Sequence, residues 1–151
     1  MRTSLLDQLL TVTSLFQRDI ARAFAGTPLT EARVAVLWTI ALQGPLTQQR
    51  LAEALSVTPR NVSALVDALE THEYVQRAPH PSDRRAVLVQ LTPSGNRMMA
   101  RMREDHEQLQ QELNAAVAAA DRAAFERGLE AVLARLTQLV EGEHRGYGES
   151  T

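Results

Sequence analysis

The chain has 151 residues, of which 44% are hydrophobic and 23% charged, and its net charge is −2, values typical of one soluble globular domain over residues 1–151. It contains no cysteine, which excludes disulfide bonds, thiolate ligands for metals and thiol-based redox sensing. No stretch approaches the roughly 18 apolar residues of a membrane span, and no signal-peptide core precedes the first charges, so we expect a cytoplasmic protein without membrane contact.

Two amphipathic helices are predicted in the first third of the chain. Apolar residues recur at steps of three or four along residues 4–25, which predicts a long helix there. Thr30, followed by Glu31, predicts the start of a second helix that ends at Gly44. Trp38 lies on the apolar side of this second helix, and we expect it in the core.

A helix-turn-helix is predicted next. Thr47 is a suitable N-cap for a helix of about two turns, and Thr58 can cap a second helix that has Pro59 at its first position. The apolar stripe of this second helix leaves Arg60 and Asn61 facing outward. Paired hydrogen bonds from Arg to guanine and from Asn to adenine are typical of DNA recognition, and a helix N-terminus attracts phosphate. The alternative is an ordinary surface helix with solvated polar residues.

A β-hairpin with a basic tip is predicted after the helix-turn-helix. Strand-like runs at residues 74–78 and 86–91 flank a loop with two prolines, from which Arg84 and Arg85 project. A projecting arginine suits the negative potential of a narrow minor groove, and Asp83 is placed to orient its side chain. The hairpin therefore predicts a second contact with DNA.

Two further helices are predicted after the hairpin. Thr92 and Pro93 can start a long helix that ends in the alanine-rich run 115–120, and Asp121 can cap a last helix that closes at Gly142. The apolar faces of the terminal helices exceed what a domain of this size can cover. We therefore expect a symmetric homodimer, the alternative being a monomer whose terminal helices fold against each other.

The chain resembles the MarR family (multiple-antibiotic-resistance regulators), dimeric winged-helix transcription factors of bacteria and archaea, along essentially its whole length. The resemblance is carried by Leu46-Thr47, Leu51-Ala52, Val57-Thr58-Pro59, Val62, Leu65-Val66, Ser82-Asp83-Arg84-Arg85-Ala86 and Leu91-Thr92-Pro93-Ser94-Gly95. It implies a mainly α fold with a small β-hairpin wing: a winged helix-turn-helix over residues 30–97, flanked by dimerisation helices over 1–25 and 98–142.

The resemblance also implies roles for individual residues. Asp83 would pair within the wing, Arg85 would enter the minor groove and Arg84 would meet phosphate. Family members often bind small aromatic or phenolic ligands in a cleft, which here would lie near the four residues Phe16, Arg22, Trp38 and His72.

The predicted function is that of a sequence-specific, double-stranded DNA-binding transcriptional regulator, a ligand-responsive repressor that binds an inverted-repeat operator as a homodimer. Residues 46–103 carry eight arginines against five acids, whereas the remainder carries eight against thirteen, so the positive charge lies where DNA contact is expected. The predicted DNA-binding residues are Thr47, Gln48, Thr58, Arg60, Asn61, Ser63, Arg77, Arg84 and Arg85. The alternative function is a winged-helix protein-interaction module that does not bind DNA.

Neither an enzyme nor a bound cofactor is predicted, since the chain has no glycine-rich phosphate loop and no motif that groups Ser, His and an acid. Its histidines are scattered, so we predict no metal site; they are His72, His80, His106 and His144. Three methionines at helical spacing predict core packing in preference to a ligand pocket or an oxidation sensor; they are Met98, Met99 and Met102.

Overall fold

The computed structural model describes residues 4–142, in which six helices and three short strands are present. The chain divides into two compact units, one ending at Arg103 and the other beginning at Glu104. The elements in chain order are α1 (Leu5–Ala23), α2 (Glu31–Gln43), β1 (Leu46–Thr47), α3 (Gln48–Leu55), α4 (Pro59–Thr71), β2 (Val75–Pro79), β3 (Val87–Leu91), α5 (Pro93–Ala116) and α6 (Arg122–Gly142). The predicted fold class, mainly helical with a small wing, is confirmed.

Side-chain caps explain where the helices begin. Thr30, Thr47 and Thr58 each have extended backbone, and the hydroxyl oxygen of each accepts the backbone N–H three residues later, at 3.3, 3.2 and 3.2 Å. Thr92 does the same for the N–H of Gly95, at 3.0 Å. Each bond satisfies one of the amide groups that the first helical turn leaves free, which is why these threonines could be identified as helix starts from the sequence.

The sheet has one strand more than the sequence predicts. β3 is the central strand, paired antiparallel with β2 from Val75↔Leu91 to Pro79↔Val87, and also with β1 through Leu46↔Val89. β1 is only two residues long, too short for an alternating pattern to be visible in the sequence. It joins the middle of β3 to the start of α3.

The core of the first unit is built from α2, α3, α4, the sheet and the start of α5. The apolar side chains with no exposed surface belong to Val36, Leu37, Leu51, Val62, Val66, Val89 and Met99. Met102 is also buried, and Met98 and Trp38 pack against the cluster, so the predicted core role of the methionines and of the tryptophan is confirmed. Each buried side chain of this size contributes about 1.5 to 3 kcal/mol to folding through removal from water.

Two helices take no part in a core within the described residues. Neither α1 nor α6 contains a buried residue, although both are amphipathic. On α1 the exposed large apolar side chains are Leu5, Leu6, Leu10, Val12, Leu15 and Phe16, and on α6 they are Phe125, Leu129, Leu133, Leu136, Leu139 and Val140. Contiguous exposed apolar faces of this kind are typical of surfaces that bind a partner. Among residues 4–142, no helix combines the length and the apolar composition of a bilayer span.

Replacement of Gly95 by alanine should destabilise the first unit. Gly95 is buried in the first turn of α5, and a Cβ at this position would overlap the carbonyl oxygen of Tyr74. We expect a loss of about 3 kcal/mol in the free energy of unfolding, measured by urea denaturation, because rigid backbone on both sides must shift. Asn96→Ala, at the exposed neighbouring position, should change stability by less than about 0.5 kcal/mol. Equal stabilities of the two variants would contradict this close approach.

Candidate nucleic-acid interface

The turn between α3 and α4 fixes the direction of α4. Ser56 adopts a left-handed conformation, with a φ of 53°, and the N–H of Val57 donates to the carbonyl of Ala52 at 3.1 Å. Thr58 then caps α4, and Pro59 is its first residue. A left-handed residue followed by a cap and a first-position proline leaves few alternatives for the chain path. The structure therefore confirms the helix-turn-helix that the sequence predicts.

The outward end of α4 carries the candidate base-reading residues. Val62, Val66 and Leu69 are buried on the inner face. Arg60 and Asn61, in the first turn, are exposed, and within residues 4–142 their side chains take part in no hydrogen bond. Their donors and acceptors, together with the positive end of the helix dipole, are available to a ligand. Ser63 is half-buried and therefore less accessible.

The tip of the wing is a tight, hydrogen-bonded turn. The ring nitrogen Nδ1 of His80 accepts the backbone N–H groups of Ser82 and Asp83, both at 3.2 Å. The N–H of His80 donates to the carbonyl of Ala86 at 3.1 Å, which closes the loop. Arg84 is exposed at this tip. The turn is thus held by its own backbone and by one imidazole, while the arginines that follow are left in solvent.

Asp83 contacts the backbone of Arg85, whereas the sequence predicts that it orients the Arg85 side chain. Its carboxylate accepts the backbone N–H of Arg85 at 2.9 Å, and in the described part of the chain it forms no ion pair with the Arg85 guanidinium. The separation of two residues along the chain explains the backbone contact. A short acidic side chain can accept the N–H two positions later and so form an Asx-type turn. Asp83 shapes the turn, and the Arg85 side chain remains exposed.

Gln48 and Arg77, which are predicted to contact DNA, bond to each other in the structure. Arg77, on β2, donates from Nε and Nη2 to Oε1 of Gln48 at 3.1 and 2.9 Å. It also forms ion pairs with Asp67 and Glu70 of α4, at 2.6 and 2.5 Å, and its backbone N–H donates to Oε1 of Glu70 at 3.1 Å. We refer to Arg77, Gln48, Asp67 and Glu70 as the Arg77 cluster.

Charge balance in the Arg77 cluster favours the protonated arginine. Partial burial disfavours the charged guanidinium, but hydrogen bonds to Asp67 and then to Glu70 outweigh burial, so the pKa of Arg77 is raised above its ordinary value. Neither acid is among the residues that the sequence predicts for the site. Their spacing of three places them on one side of α4, which is a detectable signal, but nothing in the sequence connects them to a strand arginine.

Comparisons with known proteins agree with this geometry. A family model described as MarR family matches residues 29–87, the segment from α2 to the start of β3. The transcriptional repressor NicR of Pseudomonas putida is 32% identical over 90 residues, which cover 60% of this chain and 54% of NicR. The chain thus spans about half the length of the curated MarR-family relatives that it matches.

Solved structures extend the likeness to nearly the whole chain. A mutant MarR from E. coli is 28% identical, with a TM-score of 0.68 over 88% of this chain and 98% of that one. FabT of Streptococcus pneumoniae, crystallised in complex with DNA, has a TM-score of 0.77 over 90% of this chain and 99% of that one, at 19% identity. The FabT likeness establishes the fold.

The effector cleft expected from the MarR resemblance stays a prediction, and its residues can be compared with one cavity of the structure. A cavity of about 260 Å³ lies between the end of α1 and the start of α2, lined among others by Gln17, Ile20, Phe24, Leu29 and Glu31. None of the four residues predicted for the cleft lines it; Phe16, Arg22 and His72 are exposed, and Trp38 packs on the core. Helical spacing predicts the face of a residue but not which neighbouring helix it meets.

A metal site is also not indicated by the structure. Over residues 4–142, no three His, Asp or Glu side chains are grouped as metal ligands would be. His144 lies outside the described residues.

Loss of the α4 cap should be measurable. Thr58→Ala removes the acceptor for the Asn61 N–H, and we expect a destabilisation of about 1 kcal/mol in urea denaturation. Thr58→Ser keeps the hydroxyl and should retain most of that stability. If serine and alanine were equally destabilising, the hydroxyl would not be acting as the cap.

Proposed function

We propose that this chain is a double-stranded DNA-binding transcriptional regulator that acts as a homodimer. The observation that carries the proposal is that one winged unit exposes the Arg60 and Asn61 side chains at the start of α4 and the arginines at the tip of the β2–β3 hairpin, and none of these side chains has a partner among residues 4–142. The MarR family model covers both features. NicR is named as a transcriptional repressor and FabT was crystallised with DNA, which favours the same activity here.

The chemistry of the two features suits the two grooves. The start of α4 can enter the major groove, where Arg60 is able to bind the O6 and N7 acceptors of guanine and Asn61 the N6 and N7 groups of adenine. Arg85 on the wing can enter a narrow minor groove, whose negative potential attracts a guanidinium, while Arg84 meets phosphate. Asp83 supports this arrangement through the Arg85 backbone.

The capping threonines can add phosphate contacts. The oxygens of Thr47 and Thr58 accept backbone N–H groups, but each hydroxyl keeps its hydrogen, which is free to donate to a phosphate oxygen. Ser63 can act likewise where its half-buried hydroxyl is reached. Gln48 and Arg77 are better assigned to the Arg77 cluster than to the DNA surface.

The homodimer is supported by the uncovered apolar faces of α1 and α6. Their burial against a second copy would contribute about 25 cal/mol for each Å² removed from water. We therefore propose that residues 1–25 and 98–142 form the dimerisation region and residues 30–97 the DNA-binding region. Two-fold symmetry then implies an inverted-repeat operator with half-site centres about ten base pairs apart.

The mode of action follows from binding and not from catalysis. We propose a repressor that works in the cytoplasm, where it meets chromosomal DNA, and whose affinity a small aromatic or phenolic ligand lowers. The support for the repressor is the name of NicR, and the support for a ligand is the cavity between α1 and α2. The sign of regulation is tested by transcription from an operator-bearing template with and without the protein.

The wing arginine gives the sharpest test of DNA binding. Operator duplexes would be selected from a random pool by the native chain, and affinity then measured by fluorescence anisotropy over a salt series. Arg85→Ala should weaken binding by about tenfold or more and reduce the slope of log affinity against log salt, because a groove-bound guanidinium is lost.

The control for this test is Arg127→Ala. Arg127 is an exposed arginine of α6, so the variant loses the same charge outside the winged unit. It should bind as the native chain does. Native affinity in Arg85→Ala would contradict the assignment of that residue, and recovery of no duplex from the pool would favour a protein-interaction module.

The dimer is tested by placing a charge on α6. Leu136→Glu should convert a particle of twice the 16.7 kDa chain mass into a monomer, because a carboxylate cannot be buried unpaired at an apolar interface. Light scattering after size-exclusion chromatography measures the mass. Leu42→Glu, at a 75% exposed position on α2, is the matched control and should remain dimeric. A native chain that elutes as a monomer would contradict the dimer.

A further inference from the structure

The Arg77 cluster joins the three elements that bear the proposed DNA contacts. β2 leads directly into the wing tip, α4 carries Arg60 and Asn61, and α3 begins at Gln48 beside the Thr47 cap. Arg77 contacts residues 7, 10 and 29 positions away in the chain through all three of its guanidinium nitrogens. A planar fork with several donors is suited to bracing separate elements in one geometry.

The charge of the cluster argues against a phosphate contact by Arg77. One guanidinium faces two carboxylates, so at neutral pH the group carries a formal charge of −1. The Arg77 side chain is 26% exposed, whereas those of Asp67 and Glu70 are 63% and 40% exposed. A phosphate approaching this cluster would meet the acids before the arginine, and like charges repel.

We propose that Arg77 is a positioning residue that sets the wing relative to α4, with Asp67 and Glu70 as the acids that hold it. The inference rests on the proposed DNA-binding function and deepens it. The backbone bond from Arg77 to Glu70 strengthens the brace, since one carboxylate then holds both the side chain and the strand that leads to the wing. An exposed ion pair alone would contribute little, but a bidentate, partly buried network contributes more.

Neutralisation of Asp67 or Glu70 distinguishes a positioning role from simple charge repulsion, because the two predict opposite changes in DNA affinity. Removal of a negative charge near DNA ordinarily strengthens binding, because repulsion of phosphate is reduced. If Glu70 instead holds the wing in place, Glu70→Gln weakens binding, and so does Asp67→Asn. Each variant should lose about tenfold in affinity for the selected duplex, the scale of one charge-assisted hydrogen bond.

The matched control is Glu53→Gln on α3. Glu53 is an exposed acid of the same unit, 57% exposed, whose carboxylate contacts Arg50 at 4.0 Å and Gln49 at 3.3 Å and not the Arg77 cluster. Its neutralisation should leave affinity unchanged or raise it. Asp67 is the more exposed of the two acids in the Arg77 cluster, so Asp67→Asn is the variant less prone to misfolding. Thermal melting checks that every variant is folded.

Substitutions of Arg77 itself complete the experiment. Arg77→Gln should lower affinity by about the same factor as Glu70→Gln, because either substitution breaks the hold of α4 on the wing. Arg77→Lys keeps the charge but not the fork, so it should fail to restore affinity. In the Arg77→Gln background, Glu70→Gln should add little further loss, since the two residues act as a unit.

Arg85→Ala, measured in parallel, separates this inference from the proposed function. If Arg85→Ala loses affinity while Glu70→Gln and Asp67→Asn bind as tightly as the native chain or more tightly, the positioning role is overturned and DNA binding stands. Native affinity in Arg77→Lys would also overturn it, because a phosphate contact needs the positive charge and not the planar fork. If the native chain selects no duplex, the proposed function fails and this inference fails with it.

Discussion

The guanidinium of Arg77 connects β2, α3 and α4 of the winged unit through polar contacts. Apolar packing holds α2, α3 and α4 to one another, but packing is tolerant of small rotations, whereas a fork of hydrogen bonds is directional. The fork acts on elements that the core leaves partly free, because Asp67 and Glu70 lie toward the solvent side of α4 and β2 extends beyond the core into the wing. Groove recognition needs both side-chain chemistry and a fixed spacing between two readers, and this cluster contributes to the spacing.

Local signals made much of the fold predictable. A threonine before an apolar repeat marks the start of α2, α3 and α4, and Pro59 adds a second signal for α4. These signals act within four residues, so one sequence is sufficient to detect them. β1 and the Arg77 cluster depend on residues brought together by the fold: Leu46 pairs with Val89, and Arg77 with Gln48. No local pattern encodes such pairs, so residue type alone predicts a DNA contact for Gln48 and Arg77.

The candidate site was predictable to different degrees for the same reason. Arg60, Asn61, Arg84 and Arg85 lie at ends and tips, where exposure follows from local structure, and all four are exposed. Their contacts with DNA stay predictions, as does the dimer. To predict the cleft residues one must know which helices face each other, and helical periodicity does not contain that information. The cavity near Ile20 and Leu29 is lined by other residues than the four predicted for the cleft.

The hydrogen bonds of the wing tip restrict which residue types can occupy position 80. Nδ1 of His80 is bonded to Cγ, as is Oδ1 of an asparagine or aspartate, so the imidazole here performs the role of an Asx side chain in accepting the backbone N–H groups of Ser82 and Asp83, two and three residues later. What the position requires is therefore an acceptor two bonds from Cβ, and an aromatic ring is not required for that. Residues with an acceptor at this atom are interchangeable in geometry, whereas lysine, which has donors only, is excluded.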